Sequence, residues 1–229
     1  MFEDIDDVDI YIDDLIVSME TEQQHIHSTQ YEIGNGKCEF LQRKLVFLGH
    51  VISADGIGAN PQYVEKILKI NKPCNKKQLE QLLGLVQWIA RFIPNCKWTA
   101  ELSKLRKKNT KWKWDSTHED AFTQLKKAIK NTQLLRHPKQ SDPFIVHCDA
   151  SDVAVGAALL QIHDVVLVPI EFISKKFDKH QLNWHTSEKE LYSVIYALQK
   201  WRHYLLLRKF TVYTDHKNLE SLFAVRSKQ

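Results

Sequence analysis

The order of apolar patterns after residue 141 constrains the fold more than any other feature of this 229-residue chain. Three short apolar runs are typical of strands, and they are followed by the pattern of a long helix over about 187–205, a further strand "FTVYTD" and a short helix begun by "HKNLESLF". The three runs are "DPFIVHCDAS", "VAVGAALLQI" and "LVPIEFISKK". Strands and helices in this order predict a mixed α/β (α+β) domain.

The first 140 residues have a different pattern. Strands are predicted over 8–19 and 45–53, and a helix begun by the N-cap Asn75 is predicted to run to residue 93, before Pro94. Another helix is predicted over about 116–131. The polar stretch "RHPKQSD" is the expected boundary, which gives one domain over 1–140 and a second over 141–229.

Charge and cysteine usage narrow the class of protein. The net charge of +4 is uneven, because residues 1–14 carry −7 and the remainder therefore carries +11. The excess of basic residues over 15–229 predicts a polyanionic partner, and nucleic acid is the first candidate. The four scattered cysteines form no C-x-x-C pair, which disfavours a zinc finger and a disulfide framework. An acidic N-terminus and the lack of an 18-residue apolar run predict an intracellular protein, cytoplasmic or nuclear, that is neither secreted nor membrane-associated.

Two adjacent carboxylates, Asp13 and Asp14, lie inside the strand-like segment "YIDDLIV". One interpretation is a solvated acidic terminus followed by a strand. The other is a metal site, because neighbouring like charges repel one another unless a cation lies between them. Both interpretations stay open on these residues alone.

A second set of carboxylates lies in the second half of the chain. Asp149 closes one predicted strand, Asp215 closes another, and Glu190 begins the long helix on the same face as Val194, Ala197 and Trp201. Sites in α/β sheets form at strand ends, so the three carboxylates are candidate ligands of a divalent cation. The alternatives are a capping box from Ser187 to Glu190 and local turns at the two Asp residues.

The connector over 97–114, "KWTAELSKLRKKNTKWKW", is rich in basic and aromatic residues. Lysine and arginine neutralise phosphates and aromatic rings stack on bases, so the connector is a candidate nucleic-acid-binding segment. The alternative is a solvated connector whose tryptophans pack beneath it. The candidate contact residues are Lys104, Arg106, Lys107, Lys108, Lys111 and Trp112.

Eight ordered segments resemble the Pol polyprotein of gypsy-type LTR retrotransposons. They are "YIDDLIV", "KCEF", "FLGHVISADGI", "LLGLVQWIARFIPN", "AFTQLKKAI", "DASDVAVGAALLQ", "EKELYSVIYALQKWRHYLL" and "FTVYTDHKNLESL". The resemblance implies the end of a reverse-transcriptase palm, then a helical thumb and connection, and then a ribonuclease H-like mixed sheet with helices that is truncated at its C-terminus.

The resemblance also implies functional residues. Asp13 and Asp14 match the YxDD catalytic pair of the polymerase, and Asp149, Glu190 and Asp215 match three of the four metal-binding carboxylates of the ribonuclease H. The implied cofactor is Mg²⁺, with Mn²⁺ as an alternative ion. The implied partners are an RNA–DNA hybrid and other Pol-derived chains.

Several departures from the family limit what this chain is expected to do. A further polymerase Asp and the fingers precede the YxDD pair in the family, and only eleven residues separate His25 from Lys37 where the family has more. We therefore expect no polymerase activity. The fourth ribonuclease H carboxylate lies downstream in the family, so the second of two cations is expected to be held poorly. Three functions remain open: cleavage of RNA in hybrids, non-catalytic nucleic-acid binding, and a functionless remnant.

Overall fold

The structure is a computed structural model that describes residues 8–11, 14–18, 23, 39–94, 98–107 and 110–215. The strands of the described part are β1 Val8–Tyr11, β2 Asp14–Val17, β3 Lys44–Phe47, β4 His50–Ser53, β5 Gly56–Ala59, β6 Phe144–Ala150, β7 Ala154–His163, β8 Val166–Lys176 and β9 Phe210–Tyr213. Its α-helices are α1 Pro61–Leu68, α2 Lys76–Ile89, α3 Trp98–Lys104, α4 Ser116–Lys130, α5 Thr186–Lys200 and α6 Arg202–Leu205. Within these ranges no helix is long and apolar enough to span a membrane.

The segment that contains the adjacent carboxylates is a hairpin, so the prediction of one strand over 8–19 is wrong. Strands β1 and β2 pair antiparallel, with Tyr11 opposite Asp14. Period-two alternation did not reveal the hairpin, because it can continue in phase from one strand to its antiparallel partner.

The predicted strand over 45–53 is also a hairpin. Strands β3 and β4 pair antiparallel with Phe47 opposite His50, and β5 adds to β4 to complete a three-stranded sheet. The turn residues Leu48 and Gly49 have φ angles of 48° and 75°. Two consecutive positive φ values produce a tight turn whose twist matches the flanking strands, and an apolar residue at the first position concealed it in the sequence.

The two predicted helices of the first half are confirmed at their starts. The Oδ1 of Asn75 accepts a hydrogen bond from the backbone N–H of Gln78 at 2.9 Å, which caps α2. Asp115 caps α4 in the same way through the N–H of His118, at 3.3 Å. The apolar faces of both helices pack in one core cluster, which includes Leu79, Leu82, Val86, Ile89, Leu125 and Ile129. The α-helix α2 ends at Ile89, and a 3₁₀ turn over Ala90–Phe92 continues it.

The second half forms a four-stranded sheet in the order β8-β7-β6-β9. The β6–β7 and β7–β8 pairs are antiparallel and the β6–β9 pair is parallel. Helix α5 covers one face of this sheet through Val194, Ala197 and Trp201, which are buried with Val146 and Leu159. The predicted long helix is divided, since Trp201 lies between α5 and α6. The mixed α/β fold class is confirmed.

The segment over 135–142 is fastened to both halves. The Leu135 N–H donates to the Ile57 carbonyl at 2.9 Å, and the Arg136 N–H donates to the Pro169 carbonyl at 2.8 Å. The buried amide of Gln161 donates to the carbonyl oxygens of Lys139 and Asp142 at 2.9 Å each. The domain boundary at 140/141 stays a prediction.

Candidate metal centre

Two of the three predicted carboxylates lie at the same rim of the second sheet. Asp149 is the penultimate residue of β6, and Asp215 follows the end of β9 by two residues. Strands β6 and β9 are parallel neighbours, so both strands end at the same edge of the sheet.

The third carboxylate, Glu190, reaches the same rim from α5. It is 4% exposed and lies one helical turn before Val194 on the face that packs on the sheet. One carboxylate oxygen from each of Asp149, Glu190 and Asp215 lies within 4.8 Å of the others. The structure therefore brings the three residues together, and their roles as metal ligands and catalytic residues stay predictions.

The capping interpretation of Glu190 is wrong. Helix α5 begins at Thr186, and the carboxylate of Glu188 accepts a hydrogen bond from the backbone N–H of His185 at 2.8 Å. Glu188 therefore closes the helix N-terminus, two residues before Glu190. The buried Glu190 carboxylate lies instead beside Asp149 and Asp215.

The turn after Asp149 is held by Ser151. The Ser151 hydroxyl accepts from the Ala154 N–H at 3.1 Å and donates to the Ala154 carbonyl at 3.0 Å. The Ser151 N–H also donates to that carbonyl, at 2.8 Å. Closure of the turn is thus provided by the serine, and the Asp149 carboxylate lies beside the other two acids.

An open groove of about 430 Å³ runs beside the carboxylates. Asp149 pairs across to Gly156, and Gly156 pairs onward to Ser174, so these three residues form a row across the sheet. A Cβ at Gly156 would meet nothing closer than 4.0 Å, and the middle of the row is therefore low and open. His147 and Tyr213, whose rings are 5.1 Å apart, also line the groove. The groove leaves the side chains of Asp149 and Asp215 accessible from solvent.

The donor set fits a hard divalent cation. Mg²⁺ binds carboxylate oxygens at about 2.0–2.1 Å, which places two ligands of one ion no more than about 4.2 Å apart. The 4.8 Å spread of the three oxygens is close to that limit, so small side-chain rotations are enough to bind one ion. Burial raises the pKa of the neighbouring Cys148 thiol to about 12, and the negative charge of Glu190 adds to the effect. The cysteine is therefore a neutral thiol at physiological pH.

The polymerase carboxylates are only partly described. Asp13 lies outside the described residues, and Asp14 is the first residue of β2. Nothing in the described part of the chain tests their predicted role. Lys108 of the connector also lies outside the described residues.

The connector packs on the core cluster formed by the apolar faces of α2 and α4. Trp112 and Trp114 both pack against that cluster, and their rings are 5.9 Å apart. The Trp114 indole N–H donates to Glu119 at 2.7 Å. Lys104 pairs with Glu101 at 2.7 Å, while Arg106, Lys107 and Lys111 are exposed. Trp112 and Trp114 therefore have a packing role, and the nucleic-acid contacts of the connector stay a prediction.

Helix α2 has an exposed face that the apolar pattern of the sequence did not predict. Trp88 is 48% exposed although its ring stacks on His50 with centroids 5.2 Å apart, and Leu85 is exposed nearby. An added Cβ at Gly84, one turn before Trp88, would have no neighbouring atom within 4 Å. Trp88 falls outside the apolar stripe that faces the core. That position on the helical wheel was the signal by which this surface could have been found.

Comparisons with known proteins agree with this geometry. Residues 114–212 match the family model described as the RNase H-like domain found in reverse transcriptase. The transposon Tf2-3 polyprotein of Schizosaccharomyces pombe is 36% identical over 223 residues, and the Tf2-7 polyprotein of the same organism is 35% identical. The chain is therefore similar in sequence to part of these transposon polyproteins. The resemblance stated from the motifs is confirmed. The match covers 91% of this chain and 17% of each relative, so the chain spans about a sixth of their length.

Solved structures show the same fold. The foamy viral protease-reverse transcriptase dRH in complex with ds DNA superimposes with a TM-score of 0.77 at 24% identity, covering 97% of this chain and 41% of that one. The foamy viral protease-reverse transcriptase in complex with RNA/DNA hybrid gives a TM-score of 0.77 at 23% identity, covering 99% and 32%. At this identity the likeness supports the fold alone.

Proposed function

We propose that the retrotransposon-related chain binds Mg²⁺ through Asp149, Glu190 and Asp215 and cleaves the RNA strand of an RNA–DNA hybrid. The observation that carries the proposal is the approach of three carboxylate oxygens to within 4.8 Å at a sheet rim beside an open groove. Carboxylates converge in this way at a net energetic cost unless a cation compensates their repulsion.

The chemistry is hydrolysis of a phosphodiester. A water oxygen bonds to phosphorus, the bond to the 3′-oxygen breaks, and the products carry a 3′-hydroxyl and a 5′-phosphate. A bound divalent cation supplies charge neutralisation and water activation. Asp149 and Asp215 are exposed at the groove and contribute ligands from the solvent side, while the buried Glu190 contributes one from the helix side. The row from Asp149 through Gly156 to Ser174 offers a low surface for the strand.

The comparisons support nucleic acid as the partner. One foamy viral structure holds an RNA/DNA hybrid and another holds ds DNA, and both share the fold of this chain. The matched family model carries the ribonuclease H-like description over 114–212. Mn²⁺ is the proposed alternative ion, because its octahedral oxygen coordination resembles that of Mg²⁺.

A hybrid-cleavage assay tests the proposal. The wild-type chain, Asp149→Asn and Asp152→Asn are compared on a labelled RNA–DNA hybrid with Mg²⁺, with Mn²⁺ and with a chelator. Asp152 is 98% exposed in its side chain and lies three residues beyond Asp149, so it is the matched control. We expect cleavage by the wild type and by Asp152→Asn, with loss of at least about 100-fold in Asp149→Asn. Equal cleavage by Asp149→Asn would overturn the proposed role of the cluster.

Non-catalytic nucleic-acid binding is the second candidate function. The exposed face of α2 around Trp88 and the exposed cations of the connector favour it. Hybrid binding that persists in a chelator, without cleavage in either metal ion, would select this candidate. Binding that requires the metal and proceeds to cleavage would select the first.

A further inference from the structure

Lys189 is a buried lysine immediately before Glu190. Its side chain is 9% exposed, and its Nζ lies 3.4 Å from the backbone carbonyl oxygen of Asp152 and 3.8 Å from the Asp152 Oδ1. The ammonium also lies 5.7 Å from the centre of the Phe177 ring. Burial of an ammonium group is costly unless it is paired, so a lysine in this position is held by specific partners.

Those partners belong to the turn that follows Asp149. The Ser151 hydroxyl closes this turn on Ala154, and the Phe177 N–H donates to the Val153 carbonyl at 2.9 Å. The turn is therefore internally rigid, and it is joined directly to the end of β6. Lys189 fastens the turn to the first part of α5.

The hydrogen bond joins the backbones that carry two of the three acids. Glu190 is the next residue after Lys189 on α5, and Asp149 is three residues before Asp152. Lys189 therefore links the turn that follows Asp149 to the part of α5 that carries Glu190, so loss of this contact is expected to change the separation of the two carboxylates. Core packing through Val194, Ala197 and Trp201 holds the later part of α5 on the sheet, so Lys189 acts on the first part of the helix, where Glu190 lies.

We propose that Lys189 is a positioning residue that fixes the separation of Asp149 and Glu190 and thereby sets the affinity of the site for a divalent cation. This inference rests on the proposed function, because it assigns Lys189 to the same cation site. Groups that orient metal ligands from behind commonly affect metal affinity by about 10- to 100-fold.

The backbone carbonyl, rather than the Asp152 carboxylate, is the important partner. The Asp152 side chain is 98% exposed, so its ion pair with Lys189 is screened by water and contributes little. The carbonyl oxygen accepts from Lys189 whatever side chain residue 152 carries. Asp152→Asn is therefore expected to behave as the wild type, although it removes the negative charge of this pair.

Three variants test the inference: Lys189→Met, Lys189→Arg and Asp152→Asn. Methionine keeps the unbranched stem beside Phe177 but removes the donor, and arginine keeps a donor. The melting temperature is followed against Mg²⁺ concentration to give the midpoint of cation binding. Hydrogen exchange of the Val153 and Ala154 amides, measured in a chelator, reports how often the turn opens and does not depend on the metal.

We expect the Mg²⁺ midpoint of Lys189→Met to rise by about 10-fold or more, with faster exchange at Val153 and Ala154, and Lys189→Arg to recover most of both effects. Asp152→Asn should change neither. An unchanged midpoint in a folded Lys189→Met would overturn the inference. If the wild type shows no Mg²⁺-dependent shift, the proposed function fails instead, and unchanged amide exchange in Lys189→Met would then overturn the positioning role as well.

Discussion

Asp149 and Asp215 lie at the carboxyl ends of β6 and β9, two parallel strands that are hydrogen-bonded neighbours, and their carboxylate oxygens approach within 4.8 Å. The chain between them forms two further strands and the helix that carries Glu190. Residues distant in sequence thus meet because one parallel strand pair returns the chain to the same rim.

Repulsion among Asp149, Glu190 and Asp215 should lower the melting temperature of the metal-free protein. In a chelator, Asp149→Asn is expected to melt at a higher temperature than the wild type, because one of three mutually repelling charges is removed. With Mg²⁺ at about 100 times its dissociation constant, the wild type should gain about 2.7 kcal/mol of unfolding free energy, and the variant should gain less. Calorimetry with and without Mg²⁺ measures both effects. An equal gain in the two proteins would contradict the cation site.

The connector should contribute to the salt dependence of hybrid binding. Replacement by Gln of Lys104, Arg106, Lys107 and Lys108 should reduce the slope of log affinity against log salt by about 0.9 for each phosphate that the variant no longer neutralises. Lys104 should contribute least, because it already pairs with Glu101 at 2.7 Å.

Fluorescence anisotropy at several salt concentrations measures this slope. The matched control replaces four other exposed lysines: Lys66, Lys69, Lys127 and Lys130. A slope that falls equally in both quadruple variants would show that the connector acts only through net charge. An unchanged slope in the connector variant would show that it is a solvated segment.

Cys148 should be chemically protected. Its pKa is raised to about 12 by burial and by the negative charge of Glu190, so the folded state retains a proton that the unfolded state loses above pH 9. Stability should therefore be complete below pH 9 and fall as the pH rises from 9 towards 12. At pH 8, alkylation followed by peptide mapping should label the exposed Cys74 well before Cys148. Comparable labelling rates in the folded protein would contradict this protection.

Gly56 and Gly84 should respond in opposite directions to alanine. Gly56 has a φ of 143°, and a Cβ there would lie 2.1 Å from the Leu135 carbonyl oxygen, so Gly56→Ala must separate β5 from the segment that joins the two halves. We expect a loss of about 3 kcal/mol or more. Gly84 has no atom within 4 Å of an added Cβ, and Gly84→Ala should stabilise α2 by about 0.5–1 kcal/mol. Urea unfolding compares the two, and a tolerated Gly56→Ala would show that the close approach at Leu135 is not required.

Local sequence determined the types of the elements and several of their ends. Asn75 marked the start of α2 because its short side chain can reach the N–H of Gln78 within the same segment. The stripe from Glu190 through Val194 and Ala197 marked the face of α5 that packs on the sheet, since helical periodicity places these residues on one side. The strand ends at Asp149 and Asp215 followed from short apolar runs, so the candidate acids could be named from residues alone.

Tertiary structure decided what local patterns leave open. Glu188, rather than Glu190, closes the N-terminus of α5. Each glutamate lies three residues after a possible N-cap residue, and only the burial of Glu190 against the sheet distinguishes them. The turn at Leu48 requires a positive φ that the pairing of β3 with β4 stabilises. A leucine at this position does not indicate a turn. The hydrogen bond from Lys189 to the Asp152 carbonyl joins backbones that the sequence separates by 37 positions. Periodicity and capping are properties of adjacent residues, whereas strand register, burial and the distances between acids are fixed only when remote segments exclude water together.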